Sequence, residues 1–279
     1  MQSTGLSARL FDVRGLSVLV TGGANGIGFG HAEALAANGA HVVLADTDAA
    51  ALDDAIARLQ AVSDETGARV HGVVADVTQL DTLHAAVATV LQREGRLDVL
   101  FANAGISAGP GFMKADGTRN EAGAIENLSL DTFDRALAVN LRGALATIQA
   151  AVPAMKRQRS GRIIVTTSIS LVQTETLVST LYVASKAALG QLVRQAALEL
   201  ATYGILVNGI APGPTITNIG GGRLQDADAR RPFERLNPLR RLATPADLQG
   251  AALFLASPAS AYITGTQIVV DGGACLGAA

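Results

Sequence analysis

The stretch LYVASKAALG (181–190) holds Tyr182 and Lys186 four positions apart in a run otherwise made of small and apolar residues. In a helix that spacing places a phenol and an ammonium on one face, a turn apart. A free phenol ionises near ~10 and is a poor base at neutral pH. An ammonium beside it favours the phenolate, and lowering the phenol by ~3 units corresponds to about 4 kcal/mol of differential stabilisation. The phenolate can take the proton of an alcohol, and the neutral phenol can return one to an alkoxide. A solvated polar stripe would explain any polar pair, so the reading depends on what surrounds these two.

A second constellation lies near the start. VLVTGGANGIGFG (18–30) follows an apolar run and opens a helical pattern, with Gly22, Gly26 and Gly28 spaced G-x-x-x-G-x-G. Residues without Cβ let the chain turn tightly and let backbone N–H groups and a helix N-terminus approach a pyrophosphate. Asp46 follows 24 positions after Gly22, at the end of the next apolar run. A carboxylate there accepts the hydroxyls of an adenosine ribose and repels a 2′-phosphate. Its neighbours Thr47 and Asp48 are not basic, and the 22–28 turn holds no Lys or Arg. The expected cofactor is therefore NAD(H) rather than NADP(H).

These residues need elements to hold them, and the chain supplies an alternating set. Apolar runs at 17–20, 41–45, 69–75, 97–102, 162–168, 205–211 and 267–270 read as strands. Helical patterns lie between most of them, notably at 130–157, 182–202 and 244–256. Thr244 suits a cap and Pro245 the first helical position. Near-continuous apolar strands alternating with helices specify a parallel sheet covered on both faces. The expected fold is α/β, a single doubly wound (Rossmann) domain over 16–279 with about seven strands, preceded by an extension over 1–15. Two long loops, 106–129 and 212–245, fall after strands and are candidate substrate walls.

With both constellations in view, the sequence resembles the short-chain dehydrogenase/reductase family from about Leu16 to Gly273. TGGANGIG (21–28), with Asn25 and Ile27 beside its glycines, resembles the family's cofactor turn. ADV (75–77) resembles its adenine-contacting segment, with Asp76 and Val77, and NAG (103–105) the end of its fourth strand, with Asn103, Ala104 and Gly105. VNLRG (139–143) carries Asn140, Ser168 precedes YVASK (182–186), and APGPTIT (211–217) resembles its Pro-Gly turn, with Pro212, Gly213 and Thr217. The resemblance implies that Tyr182 is the acid/base, Lys186 its partner, Ser168 the hydroxyl polarising a carbonyl and Asn140 the holder of a water linking Lys186 to solvent. It also implies that Tyr182 and Lys186 touch the cofactor and that Thr217 binds its carboxamide. Ser168 lies 14 positions before Tyr182, one more than the family's usual spacing. Aligning the strand selects Ser168 with a one-residue insertion in ISLVQTETLVST, and Ser170 is the competing candidate. The loop after NAG is also longer than usual.

Composition narrows the remaining possibilities. The 279 residues are 49% hydrophobic with a formal net charge of −2 and no basic stripe, which argues against a nucleic-acid partner. The most membrane-like segment, 136–155, is interrupted by Asn140, Arg142 and Gln149. An unpaired Arg near a bilayer centre costs at least about 2.5 kcal/mol. No membrane association is expected, and a cytoplasmic location is the default. Cys275 is the single cysteine, and His31, His41, His71 and His84 lack ligand spacing, so no metal site is expected. The basic run RRPFERLNPLRR (230–241) suits either a solvated face or an acidic carrier.

The leading expectation is an NAD-dependent enzyme interconverting a secondary alcohol and its ketone. Ile106, Phe112, Met113, Leu171, Val172, Leu177, Ile216 and Ile219 suggest a small, uncharged, fairly hydrophobic substrate. The alternatives are a 3-oxoacyl-carrier reductase and a silent dinucleotide sensor or scaffold. The Ala- and Leu-rich helices at 130–157 and 182–202 suggest a homotetramer.

Overall fold

The computed structural model describes residues 5–277. The first four residues of the expected extension and the last two of the expected domain lie outside the described residues. The chain begins with a short helix α1 (Leu6–Leu10) and then alternates: β1 (Ser17–Thr21), α2 (Gly26–Ala37), β2 (His41–Asp46), α3 (Ala49–Thr66), β3 (Val70–Val74), α4 (Leu80–Glu94) and β4 (Val99–Ala102). The second half continues with α5 (Leu130–Leu137), α6 (Ala144–Gln158), β5 (Gly161–Thr166), α7 (Thr180–Leu200), β6 (Ile205–Pro212), α8 (Ala227–Leu236), α9 (Gln249–Ala256) and β7 (Gln267–Val270).

The seven strands form one sheet in the order β3-β2-β1-β4-β5-β6-β7. Every pairing is parallel. Successive side chains of a strand point to opposite faces, and the apolar runs use both. Val18, Val20, Phe101 and Ile164 pack with Leu35, Leu59 and Leu255 from α2, α3 and α9. Their neighbours Leu19, Leu100 and Ile163 pack on the other face with Leu83, Met155 and Val193 from α4, α6 and α7. The strand order reverses between β1 and β4, and this opens a crevice at the carboxyl ends of the strands, where ligands of doubly wound proteins bind.

Helix boundaries follow local chemistry. Ser179 caps α7 by accepting from the Leu181 N–H, so this helix starts two residues before Tyr182. Thr244 and Asp247 form the reciprocal cap at the last helix, with Pro245 in its first turn. The helix expected at 130–157 is interrupted by a π turn at Ala138–Gly143. There the Asn140 amide bonds the backbone of Ile106, and a Cβ on Gly143 would lie 2.6 Å from the Val77 side chain. Widened turns of this kind concentrate at functional sites. Among the described residues, no helix is long and apolar enough to cross a membrane.

Both long loops are structured. In the first, Met113 pairs with Arg119 and the Lys114 N–H donates to Thr118 O, making a small hairpin. The second contains α8, capped by Asp226. Its arginines are largely engaged within the chain, Arg231 with Asp228 at 2.9 Å and Arg241 with Asp247 at 2.6 Å.

Candidate active site

A cleft of about 1290 Å³ runs along the carboxyl edge of the sheet, from Asp46 and the glycine turn at one end to Tyr182 and α8 at the other. At the first end the chain leaves β1 through Gly22 and enters α2 through Gly26, both at positive φ. A Cβ on Gly28 would overlap Gly22 O and the Asn103 side chain, so the helix start can approach β4 this closely only with glycine there. Asn103 donates to the Thr21 and Gly22 carbonyls, both at 3.1 Å, and accepts from Thr166 at 2.9 Å, tying the turn to β5. Asn25 precedes α2 without capping it by its side chain, which leaves leading backbone N–H groups aimed at the cleft.

Asp46 ends β2 and accepts from the Ala24 N–H at 3.2 Å and the Thr47 N–H at 2.8 Å. Oδ1 also accepts from the Asp48 N–H at 3.4 Å, and Oδ2 retains a lone pair for a further donor. Asp76 accepts twice from Thr78, at 2.8 Å from both N–H and hydroxyl, and so shapes the wall next to Val77. A helix N-terminus for a pyrophosphate, turns free of Cβ and a carboxylate facing the ribose position together fit a dinucleotide. Pro212 and Gly213 leave β6, and Thr217 comes back over the glycine turn, its side chain 3.3 Å from where a Gly26 Cβ would stand.

At the second end, Lys186 is buried and its Nζ donates to Thr166 O at 2.9 Å. The ammonium lies 5.8 Å from the centre of the Tyr182 ring. Burial pulls the Lys186 pKa down to about 8 and pushes the Tyr182 phenol up to about 12, with Ser168 opposing the latter and Glu175 reinforcing it. The expected shift toward phenolate draws on the nicotinamide's positive charge as well as on Lys186; among the protein's own side chains, desolvation wins. Asn140, fully buried, donates to Ile106 O at 3.0 Å and to Ser185 Oγ at 3.1 Å, and accepts from the Ile106 N–H at 2.8 Å. It thereby locks the loop after β4 to α7 one residue before Lys186.

Of the residues assigned to catalysis or cofactor binding from the sequence, all line this cleft except Gly28 and Asn140, which stand behind its wall. The choice between Ser168 and Ser170 dissolves into a pair, with their hydroxyl oxygens 2.9 Å apart. Ser168 is the member that lines the cleft with Tyr182, whereas Ser170 stands behind it. Of the apolar residues assigned to the substrate wall, Ile106, Leu177 and Ile219 line the cleft, whereas Phe112, Leu171, Val172 and Ile216 do not and Met113 faces a smaller side pocket. Glu175, Asn218 and Arg223 also line the cleft. Sequence reasoning missed Glu175, and the only signal was the extra residue in the segment that carries it.

The geometry defines a doubly wound protein with a dinucleotide-type cleft and a tyrosine–lysine–serine cluster at its far end. Residues 22–275 match the family described as enoyl-(acyl carrier protein) reductase. The chain is 36% identical over 265 residues to L-rhamnose 1-dehydrogenase (NAD(P)(+)) of a Sphingomonas species, covering 94% of this chain and 96% of that one. It is 34% identical over 271 residues to oxidoreductase UcpA of Salmonella typhimurium, covering 94% and 95%. A short-chain type dehydrogenase/reductase from Mycobacterium marinum, of known crystal structure, superposes with a TM-score of 0.83 at 32% identity over 95% of this chain and 97% of that one. The chain belongs to the short-chain dehydrogenase/reductase family.

Proposed function

We propose that this protein is an NAD(H)-dependent oxidoreductase that interconverts a secondary alcohol and its ketone. The observation that carries the reading is that Tyr182, Lys186 and Ser168 stand in the same cleft as the glycine turn and Asp46. Asp46, with no basic residue beside it, favours NAD over NADP. When bound, the nicotinamide supplies the hydride acceptor or donor. The protein's own residues handle the proton and the oxygen. Tyr182, neutral with a high pKa, gives its proton to the nascent alkoxide in the reducing direction. In the oxidising direction the phenol must ionise, and the cationic charges of Lys186 and the oxidised cofactor favour that. Ser168 donates to the reacting oxygen, and Lys186, held on Thr166 O, keeps a positive charge one turn from the phenol. Asn140 fixes the backbone around them and supports the water linked to Lys186.

The substrate end is mixed rather than apolar. Glu175, Asn218 and Arg223 stand among Ile106, Leu177 and Ile219, and desolvating such groups against hydrocarbon is costly. A hydroxylated alcohol or ketone fits this wall better than the hydrophobic one expected from the loops alone, in keeping with the sugar named for one relative. The acyl-carrier alternative gains little from the basic segment, where Arg230, Arg231, Arg240 and Arg241 meet carboxylates or carbonyls of the same chain. We assign the enzyme to the cytoplasm, acting as a homotetramer.

The test is absorbance of NADH with cyclohexanol, glycerol, sorbitol and L-rhamnose, comparing wild type with Tyr182→Phe. Loss of at least about a hundredfold in kcat is expected, the scale of a general acid–base contribution. Equal turnover in the two proteins removes the assigned acid/base. Binding of NAD⁺ without turnover across such a panel would return the chain to a sensor.

A further inference from the structure

The cleft wall holds a carboxyl group that the reaction above does not use. Glu175 lies half-buried in the loop between β5 and α7 and accepts from the Ser170 hydroxyl. Ser170 Oγ is 2.9 Å from Ser168 Oγ, and the Ser170 N–H donates to Ser168 Oγ at 3.2 Å. Ser168 and Tyr182 line the same stretch of the cleft. The three groups form one line, Glu175–Ser170–Ser168, ending in the cleft that Tyr182 also lines.

A serine hydroxyl has one proton to give, so the direction of this line is a counting problem. An ionised Glu175 only accepts. Ser170 then gives its proton to the carboxylate and accepts from Ser168, and Ser168 has none left for a substrate oxygen. Tyr182 can join the same line by donating to Ser168, away from substrate. A protonated Glu175 reverses every link: it donates to Ser170, Ser170 donates to Ser168, and Ser168 donates into the cleft.

We infer that Glu175 is a positioning residue which, through Ser170, decides whether the Ser168 hydroxyl points its proton at the substrate or away from it. The inference rests on the oxidoreductase reading for its consequence, though not for its geometry. Burial raises the Glu175 carboxyl above the ordinary carboxylate range, with only the Ser170 bond opposing it. The titratable groups that feel Glu175 are the Tyr182 phenol on α7 and the Cys275 thiol in the C-terminal turn, both held at about 12. Lys186 is the nearby cation on α7, one turn beyond Tyr182, and it is committed to Thr166 O. Among the described residues Glu175 has no ion-pair partner.

Neutron diffraction on the deuterated full-length protein, at one pD below and one above the Glu175 ionisation, reads the line directly. The expected result is a Ser168 deuteron aimed into the cleft at the lower pD and at Ser170 Oγ at the higher. The kinetic counterpart is the pH profile of NADH-dependent reduction of dihydroxyacetone and cyclohexanone. In wild type kcat falls by about tenfold per pH unit above that ionisation, the slope of one proton. In Glu175→Gln, whose amide donates at every pH, and in Ser170→Ala, which cuts the line, this step disappears. Any step set by Lys186, whose pKa burial brings down to about 8, remains in both variants. A deuteron that keeps one orientation at both pD values, or profiles identical in wild type and Glu175→Gln, overturns the relay and leaves the reaction standing. Unchanged turnover in Tyr182→Phe defeats the reaction and leaves the deuteron positions to be judged alone.

Discussion

His31 sits in the first half of α2 with both ring nitrogens buried and unpartnered, its ring 4.9 Å from that of Phe101. Burial drives its pKa from 6.5 down to about 3. The unfolded chain therefore takes up this proton near 6.5 while the folded one resists until about 3. Between those values the unfolded state binds more protons, so folding stability falls as pH falls, by about 1.4 kcal/mol per unit from this residue. Replacing it with the similarly sized leucine removes that slope and two unpaired polar atoms. His31→Leu should unfold at lower pH than wild type, followed by circular dichroism; coincident acid transitions would show that the imidazole finds a partner. Asp46 carries a prediction about ligand choice. Asp46→Ala removes the repulsion toward a 2′-phosphate and the ribose acceptor together, so the NAD⁺ to NADP⁺ ratio of kcat/KM should drop by about tenfold or more. An unchanged ratio would mean that the adenosine end lies elsewhere.

At the scale of elements, two departures from the common pattern of the family turn out to be partners. The hairpin after β4 and the lengthened segment before α7 pair at Pro110 and Val178, and the Met113 N–H donates to Thr176 O at 3.1 Å. Gly111 lies at the seam, where a Cβ would overlap the backbone of Thr176, Leu177 and Val178. Gly111→Ala should force the two segments apart, displacing Leu177 and Glu175 from the cleft while the sheet is untouched. The expected outcome is a raised KM for substrate with NAD⁺ affinity unchanged by calorimetry; a proportionate loss of both would place the damage in the core. This pairing also shows what the sequence made legible. The central strands read clearly because they are buried on two faces and must be largely apolar, as in β1 and β6. The glycine turn and Tyr182 with Lys186 read clearly because their spacing is local. The π turn at Asn140 was hidden, since it depends on Ile106 and Val77 far away in sequence. So was Glu175, whose place beside Ser170 depends on how two loops fold together rather than on any spacing.

For the whole molecule, the question is what covers the apolar surface that one chain leaves open. Leu198 on α7 is 76% exposed and Leu145 on α6 is 39% exposed, both on helices whose other faces are buried in the core. On a different side, β7 closes the sheet with no further strand beside it among the described residues, and Val269 and Leu276 are exposed there. An open strand edge and an apolar helix face are each suited to meeting a second copy about a two-fold axis. Two such faces in different directions generate a closed tetramer, whereas one would stop at a dimer. A stable contact needs about 800 Å² from each partner, which a pair of long helices can supply. Light scattering at micromolar concentration should therefore give four times the chain mass. Leu198→Glu, which places a charge in the helical contact without touching the cleft, should give half that mass while Val269→Lys breaks the other contact. A monomeric wild type would refute the assembly, and the exposed leucines would then be ordinary surface.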